Sequence, residues 1–506
     1  MVAVSVVVAV WLLAAAVAAS PGIPAGGSAR VAVGLGGVGV GAAVTLVALR
    51  GAGDVDVAWA AALAAVLIAG LSTGIQRFAV AHLRADPRQR WFVVGVNLLT
   101  ASSVGVVLAP SVLWFAVAWS AAGASLLMLL AMQPGSRQAR QGLARAAVQL
   151  GVGDLALWSA VVALAAWAGG DVSWDRIGAV AAALPAGPAM TVAVLLVAAG
   201  ASRAAQVPFH GWLPMTLAAP TTVSAIMHAG VVNAAAFLVI RFAETVTAQP
   251  VAMLLLGILG AASMLCGAAG YLVRPDLKGR LVASTTAQMG VMLVALAVGA
   301  WGAALFHLIG HGIYKARLFL RAGDQIDDMR RAQAAPAAER ASSPVRAAAV
   351  AAAVIVPGAG ILAATWLADV PSTSSGVLLD AYGWMTAGLL LHGALTTRAA
   401  SAGLRVLLLP AAAAAAAAYA VVVHAFDALV SSDVPAAAAP DPGWVVLVPL
   451  LLVGALSLLP RMRVAGSSRL YGWVTLLAGS PVPRVRSDAA PRPRPATSAP
   501  IIQELA

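Results

Sequence analysis

The stretch VAMLLLGILGAASMLCGAAGYLV, residues 251–273, carries no charged side chain and is long enough to cross a hydrocarbon core as a single helix. Comparable apolar runs recur at residues 2–19, 31–49, 57–76, 91–109, 111–132, 148–168, 345–367 and 443–459. They are continuous in Ala, Val and Leu, whereas barrel strands alternate apolar with polar over about ten residues. The expected fold is an all-α polytopic membrane protein, with about 14 or 15 transmembrane helices.

Composition agrees. The chain is 61% hydrophobic and 10% charged, against roughly a quarter charged residues in a soluble domain. No basic segment precedes the first apolar run, which argues against a cleaved secretory signal. Cys266 is the single cysteine, so intrachain disulfides, thiolate-held clusters and cysteine-rich zinc sites are excluded. The net charge of +12 sits in short loops, where membrane topology explains it better than nucleic acid does.

Those loops give an orientation. Arg77, Arg84, Arg88 and Arg90 share one loop, Arg137, Arg140 and Arg145 a second, and Arg274, Lys278 and Arg280 a third. Residues 317–346, Arg398 with Arg405, and the tail from Arg461 fall on the same side when crossings are counted through. Intervening loops at 51–56, 169–175, 369–375 and 431–441 hold mostly acids, Gly and Pro. The arginine side is therefore expected in the cytoplasm of a cell-membrane protein, with the amino terminus opposite. Residues 461–506, rich in Pro, Arg, Ser and Ala, read as a basic, partly disordered cytoplasmic tail. Within it, 471–477 is apolar but too short to span, and is expected along the membrane surface.

An ionisable side chain at the bilayer centre costs about 3 kcal/mol even on lenient scales, so the few present here are functional candidates. The densest set is Ala304-Leu305-Phe306-His307-Leu308-Ile309-Gly310-His311-Gly312-Ile313-Tyr314-Lys315. His307, His311 and Lys315 recur every four residues and form a stripe roughly 12 Å long on one helical edge. Histidine titrates near neutral pH, and a lysine out of water can exchange protons with it. Arginine could not serve, because its guanidinium stays protonated. The chain writes arginine nearly everywhere: of 31 cationic residues only Lys278 and Lys315 are lysine. Two plainer readings stand beside this. In one, Lys315 only snorkels to the surface while the histidines bond neighbouring helices. The i, i+4 histidine spacing also suits zinc, but no carboxylate or thiol is near in sequence, so no metal site is expected.

A second constellation runs from Arg203 through Gln206-Val207-Pro208-Phe209-His210-Gly211-Trp212-Leu213-Pro214 to Pro220, and on to His228 and Asn233. Pro208, Pro214 and Pro220 fall within 13 residues. No regular helix survives that, so the span starting near 189 must break. Broken helices expose backbone dipoles to an ion path, although the same prolines would also suit a loop between two ordinary spans. Asp154, alone in an apolar stretch, is placed to pair with Arg203 or to sit near the end of its span. A later Val356-Pro357-Gly358-Ala359-Gly360 predicts a second discontinuous helix, and with it a probable inverted repeat of segments 91–241 and 251–398. Residues 1–90 and 399–460 would supply flanking transmembrane helices. The expected ion path comprises His307, His311, Lys315, His228, Arg203, Asp154, Lys278 and His210, with Pro208, Pro214, Pro220 and Pro357 as broken-helix elements.

Over roughly residues 60–400 the sequence resembles the antiporter-like membrane subunits of respiratory complex I and the multisubunit Mrp antiporters. The residues that carry this are His82 with Asp86-Pro87, Asn97-Leu98, Trp119, Gly153-Asp154, Gln206-Val207-Pro208, Trp212-Leu213-Pro214, Pro220-Thr221, Val223-Ser224-Ala225, His228-Ala229, Asp276-Leu277-Lys278, Ser284-Thr285, Gln288-Met289-Gly290 and the ladder ending at Lys315. Within that superfamily, residues 208–214 and 227–234 are similar to the DabB-type membrane subunit of energy-coupled inorganic-carbon pumps. The resemblance implies a subunit that passes protons or another cation, beside a large peripheral zinc protein resembling β-carbonic anhydrase that hydrates CO2 to bicarbonate. Any zinc would belong to that partner, and no cofactor is expected in this chain. The superfamily's intramembrane glutamate is here Ser120, and its lysine before the Gln-Val-Pro motif is here Arg203. Neither titrates usefully, so conduction is expected to lean on the second half.

The rival expectation is a proton-translocating subunit of a respiratory complex I-like, hydrogenase or Mrp antiporter complex. Only 46 residues follow Pro460, too few for the long lateral helix of the largest complex I relatives. A third possibility is a membrane scaffold that has lost conduction, against which the intact ladder argues. No flavin, nicotinamide or iron–sulfur motif is visible, so a transporter subunit is expected rather than a redox enzyme.

Overall fold

The computed structural model describes residues 2–132, 136–274, 276–322, 331, 343–369, 374–396 and 401–433. Apart from one isolated bridge between Ser111 and Ser173, these residues are helices and their connections. The helices are α1 (Val2–Ala19), α2 (Ala25–Ala52), α3 (Trp59–His82), α4 (Gln89–Val107), α5 (Val112–Ala131), α6 (Arg137–Ala168), α7 (Ile177–Ala183) and α8 (Ala186–Arg203). Next come α9 (Trp212–Met215), α10 (Thr221–Ala229), α11 (Ala234–Arg241), α12 (Ala243–Thr247), α13 (Pro250–Val273), α14 (Leu277–Ala297) and α15 (Trp301–Leu320). Last are α16 (Ser343–Leu367), α17 (Ser374–Thr396) and α18 (Ala402–Ser431). Among the described residues 11 helical segments are long and apolar enough to cross a membrane. The protein is thus a multi-pass membrane protein. The span expected at 443–459 and everything from Arg461 lie outside the described residues, as does Arg398.

Small residues let the helices approach closely. A methyl group at Gly267 of α13 would lie 2.4 Å from the Ala287 backbone of α14, and one at Gly290 would lie 2.5 Å from the Gly260 carbonyl. Such backbone-to-backbone contact is how helices associate where apolar burial gives no drive between them. Arginine-bearing loops gather at one end of the bundle: Arg90 donates to the carbonyls of Ser20 and Ile23, and Arg88 to that of Met132. At the opposite end Asp433, just beyond α18, accepts from Arg50 of α2 and from the Trp59 backbone of α3.

The core is one continuous cluster from α1 to α15, whereas α16–α18 carry small clusters of their own, such as Ile361, Ala364, Ala416 and Ala420. This carboxy-terminal group joins the main body through Leu378, Leu379, Val423 and Val430.

Two interruptions shape the interior. Helix α8 stops at Arg203, whose guanidinium lies against Gly123 in the middle of α5 and bonds Asp154 in the middle of α6. It therefore ends half-way across its neighbours. Residues 204–220 continue irregularly through two short 3-10 turns around α9, because prolines supply no N–H to a helical ladder. Their freed polar groups are tied to adjoining helices: Gln206 donates to the Thr286 carbonyl at 3.3 Å, and the Val207 N–H to Ser263 at 2.9 Å. The second interruption contains no proline. Helix α10 ends at Ala229, Gly230 takes φ −121° and ψ −68°, and a 3-10 turn at Val231–Asn233 leads into α11.

The break expected at Pro357 does not occur. Pro357 lies inside the continuous helix α16. The ring removes one N–H, and a neighbouring helix packs against the backbone there: Trp384 of α17 donates its indole N–H at 2.7 Å to the Val354 carbonyl, next to the one the ring leaves without a donor. Gly388 of α17 also lets its backbone close on the Ala353 carbonyl, the acceptor that a proline at 357 leaves without its helical donor.

Candidate proton path

Lys315, His311 and His307 share the face of α15 that turns inward. Lys315 is 1% exposed and its ammonium donates to the Leu281 carbonyl at 3.0 Å and to the Ser284 hydroxyl at 2.6 Å. Both acceptors lie on α14 and both are neutral. Four residues back, His311 is buried and stacks on His307, with ring centres 5.8 Å apart. Neither nitrogen of His311, nor Nε2 of His307, has a hydrogen-bond partner among the described residues. A buried polar atom left in that condition costs about 1–3 kcal/mol unless water or a mobile proton carrier serves it. A cavity of about 490 Å³ lies against both imidazoles, lined also by Gln288, Tyr314, Tyr382 and Tyr419. It can hold a file of waters, each needing about 10–15 Å³ by the same measure.

His228 joins this group from the other side. It is fully buried at the end of α10 and stacks on Phe319 of α15 at 4.5 Å, again with both nitrogens unpartnered among the described residues. The interruption at Gly230 brings it there. Gly312 sits so close to the Ala229 carbonyl that a methyl group would lie 3.0 Å from it, and Asn233 donates to that same carbonyl at 2.8 Å. The ladder helix is therefore packed directly on the broken turn.

Arg203 and Asp154 form a separate site. They pair at 3.0 Å, and Arg203 also donates to the Trp119 carbonyl at 3.0 Å while lying over the Trp119 ring at 4.4 Å. Ser120 accepts a bond from the Trp158 indole at 3.0 Å. Between this site and the ladder lies an apolar cavity of about 70 Å³ bounded by Arg203, Asn233 and Leu308.

Two further residues expected in the path stand apart. Lys278, at the start of α14, donates to the Ala219 carbonyl at 3.3 Å and braces the connection 204–220. His210, in that connection, lines a small cavity with Arg274 at the arginine-bearing end, outside the spans. Burial holds its imidazole below the usual histidine range, and the nearby Arg145 guanidinium adds to this. The sequence reading missed Gly230, Tyr382 and Tyr419. A lone glycine between His228 and Asn233 was the available signal for the first. The tyrosines had none, since their helices reach the ladder only through tertiary packing.

The bundle thus has two helix interruptions, and a buried lysine–histidine stripe beside the second. Residues 109–340 match the NADH:quinone oxidoreductase/Mrp antiporter transmembrane family. The chain is similar to "Probable inorganic carbon transporter subunit DabB1" of Halothiobacillus neapolitanus, 32% identical over 276 residues, covering 54% of this chain and 49% of that protein. It is also similar to "Probable inorganic carbon transporter subunit DabB" of Bacillus anthracis, 34% identical over 256 residues, covering 50% and 49%. NAD(P)H-quinone oxidoreductase chain 5 of Synechocystis sp. is 30% identical over 275 residues, covering 53% and 40%. The chain thus aligns with about half the length of these curated relatives. The Mrp complex from Dietzia sp. shares the fold, with a TM-score of 0.57 at 21% identity over 95% of this chain and 52% of that one. The resemblance read from the sequence holds: the chain is similar to antiporter-like membrane subunits, among them inorganic carbon transporter subunits and quinone oxidoreductase chain 5.

Proposed function

We propose that the chain is the membrane subunit of an energy-coupled inorganic-carbon uptake complex, conducting protons or another cation to drive a large peripheral partner. In this reading the partner is a zinc-binding protein resembling carbonic anhydrase, which converts CO2 to bicarbonate, and the zinc is its own. Lys315, His311 and His307 exchange the protons, with His228 adjoining them. Arg203 and Asp154 act as fixed charges that bias the path. The arginine-bearing end faces the cytoplasm, where the partner docks. The observation that carries this reading is the similarity to inorganic carbon transporter subunits in two bacteria. Imidazole nitrogens without partners among the described residues, beside a cavity of about 490 Å³, support proton passage.

A second reading, a proton-translocating subunit of a complex I-like or Mrp-type assembly, is favoured by the 30% identity to quinone oxidoreductase chain 5. One experiment separates them. The chain is expressed with and without the candidate peripheral partner in cells lacking carbonic anhydrase. Growth in ordinary air only when both are present supports carbon uptake; co-purification with quinone-reducing subunits and no rescue of growth overturns it.

A further inference from the structure

Helices α14 and α15 form an antiparallel pair joined through residues 298–300, and the bond from Lys315 to Ser284 fixes their register. One turn back along α15 stands His311, and one turn on along α14 stands Gln288. A further turn on each helix brings His307 opposite Met292. All four of these side chains line the same cavity of about 490 Å³. Of the residues that α14 turns to it, Val291, Met292 and Ala295 are apolar and Gln288 alone is polar.

The carboxamide oxygen of Gln288, Oε1, is buried and has no hydrogen-bond partner among the described residues. Of the described residues around the cavity only His307 and His311 share that condition, at Nε2 of the first and at both nitrogens of the second. Tyr419, also on the wall, already gives its hydroxyl to the Leu379 carbonyl at 3.2 Å. Tyr382 meets His307 with its ring edge, centres 5.8 Å apart.

Unpartnered polar atoms on facing turns of two helices, around one space large enough for water, have a common explanation. No direct bond joins the two imidazoles, and a water between them needs about two to four polar partners to be held in place. Apolar walls supply none. With Gln288 the water has three: it accepts from one imidazole and donates to the other and to Oε1. A carboxamide suits that post because it does not titrate, so it directs the water without capturing the proton.

We infer that Gln288 is a positioning residue of the proton path, its carboxamide oxygen holding the water through which His311 and His307 exchange a proton. This rests on the proton-path reading above and adds a residue to it. In the step, an N–H bond of the His311 imidazolium breaks as an O–H bond forms on the water. Another O–H bond of that water breaks as an N–H bond forms at His307 Nε2. His311 ends neutral and His307 charged, the remaining hydrogen of the water stays directed at Oε1, and nothing is oxidised or reduced.

The test uses vesicles carrying the full chain with its peripheral partner, an imposed proton gradient and an internal pH dye, in light and in heavy water. Gln288→Leu fills nearly the same space without an acceptor. Flux is expected to fall about tenfold, the worth of one hydrogen bond in the transfer, and the light-to-heavy-water flux ratio to rise because proton transfer becomes limiting. Gln288→Asn, which keeps the carboxamide, should recover part of the flux and return the ratio toward wild type. Thermal melting of the complex in detergent separates this from a structural role: removing an acceptor that bonds no other helix should leave the midpoint unchanged or raise it. If Gln288→Leu melts earlier in step with its lost flux, or conducts normally with an unchanged ratio, the inference is overturned. Lys315→Arg is run alongside; where it is inactive and Gln288→Leu conducts normally, the ladder stands without Gln288. If both conduct normally, or the wild type passes no protons, the ladder reading falls and the inference with it.

Discussion

The two buried cations of this protein sit in opposite circumstances. Arg203 has a counter-ion, a carbonyl and an aromatic face around it, and it occupies the point where α8 stops. Lys315 has two neutral oxygens, then two stacked imidazoles lacking described partners, then a cavity large enough for water. An ion-paired guanidinium is pinned in place and in charge. An ammonium held by a carbonyl and a hydroxyl can give its proton to a neighbour without stranding a carboxylate. The same kind of charge, buried to the same degree, therefore serves as anchor in one half of the bundle and as a candidate carrier in the other.

Lys315→Arg attacks the contrast most directly. It keeps the charge and removes the exchange, so transport by the assembled complex should drop by two orders of magnitude or more, as for loss of a proton-transfer group. Uptake at the wild-type rate, measured beside detergent-extracted yield as a control for assembly, would erase the distinction. On the anchor side, Asp154→Asn strands Arg203 and should cost about 3 kcal/mol of stability, since breaking one half of a buried pair leaves an uncompensated charge. Thermal melting in detergent reads this. The double variant Asp154→Asn, Arg203→Met should recover most of the lost stability yet conduct more slowly than wild type, because the bias is gone; wild-type conduction would show that the pair only anchors, and a dead double variant would make Arg203 part of the path.

A smaller effect is expected at the contact between the ladder helix and the broken turn. Gly312→Ala places a methyl group 3.0 Å from the Ala229 carbonyl and 3.2 Å from Leu71. Overpacking of this kind costs about 1–3 kcal/mol. It should also slow transport more than its loss of stability explains; unchanged flux per folded complex would separate the turn from the ladder. The smallest effect is at His210. Its folded form is held below the usual histidine pKa, so the neutral state is favoured on folding. That contribution is present above about pH 6.5, the unfolded value, and is lost as pH falls below it. Protease cleavage in residues 204–220 should rise on acidification in wild type and less so in His210→Gln.

Much of this was legible in the residues. Apolar runs and the absence of barrel alternation set the fold, because a membrane span must satisfy its own backbone and so repeats one simple pattern. The stripe ending at Lys315 followed from helical geometry alone, and the interruption after Arg203 from three prolines. The sequence also offered Asp154 as a partner for Arg203, one of two options, and proximity decided it. At Pro357 the helix continues despite the proline, because Trp384 and Gly388 of a neighbouring helix meet the backbone around the missing bond. Where no proline stood, at Gly230, the helix broke.

Sequence by itself thus determined what is local: which segments span, which edge of α15 is ionisable, and where the chain cannot be a regular helix. The tertiary structure decided which buried groups meet. Arg203 finds a carboxylate 49 positions away and Lys315 finds only neutral oxygens on α14, while the imidazoles face a cavity closed by helices more than 60 residues further on. Spacing along a helix fixes which side chains share an edge. Whether that edge is locked by an opposite charge or left able to pass protons depends on the helices packed against it, and their arrangement is a property of the whole bundle.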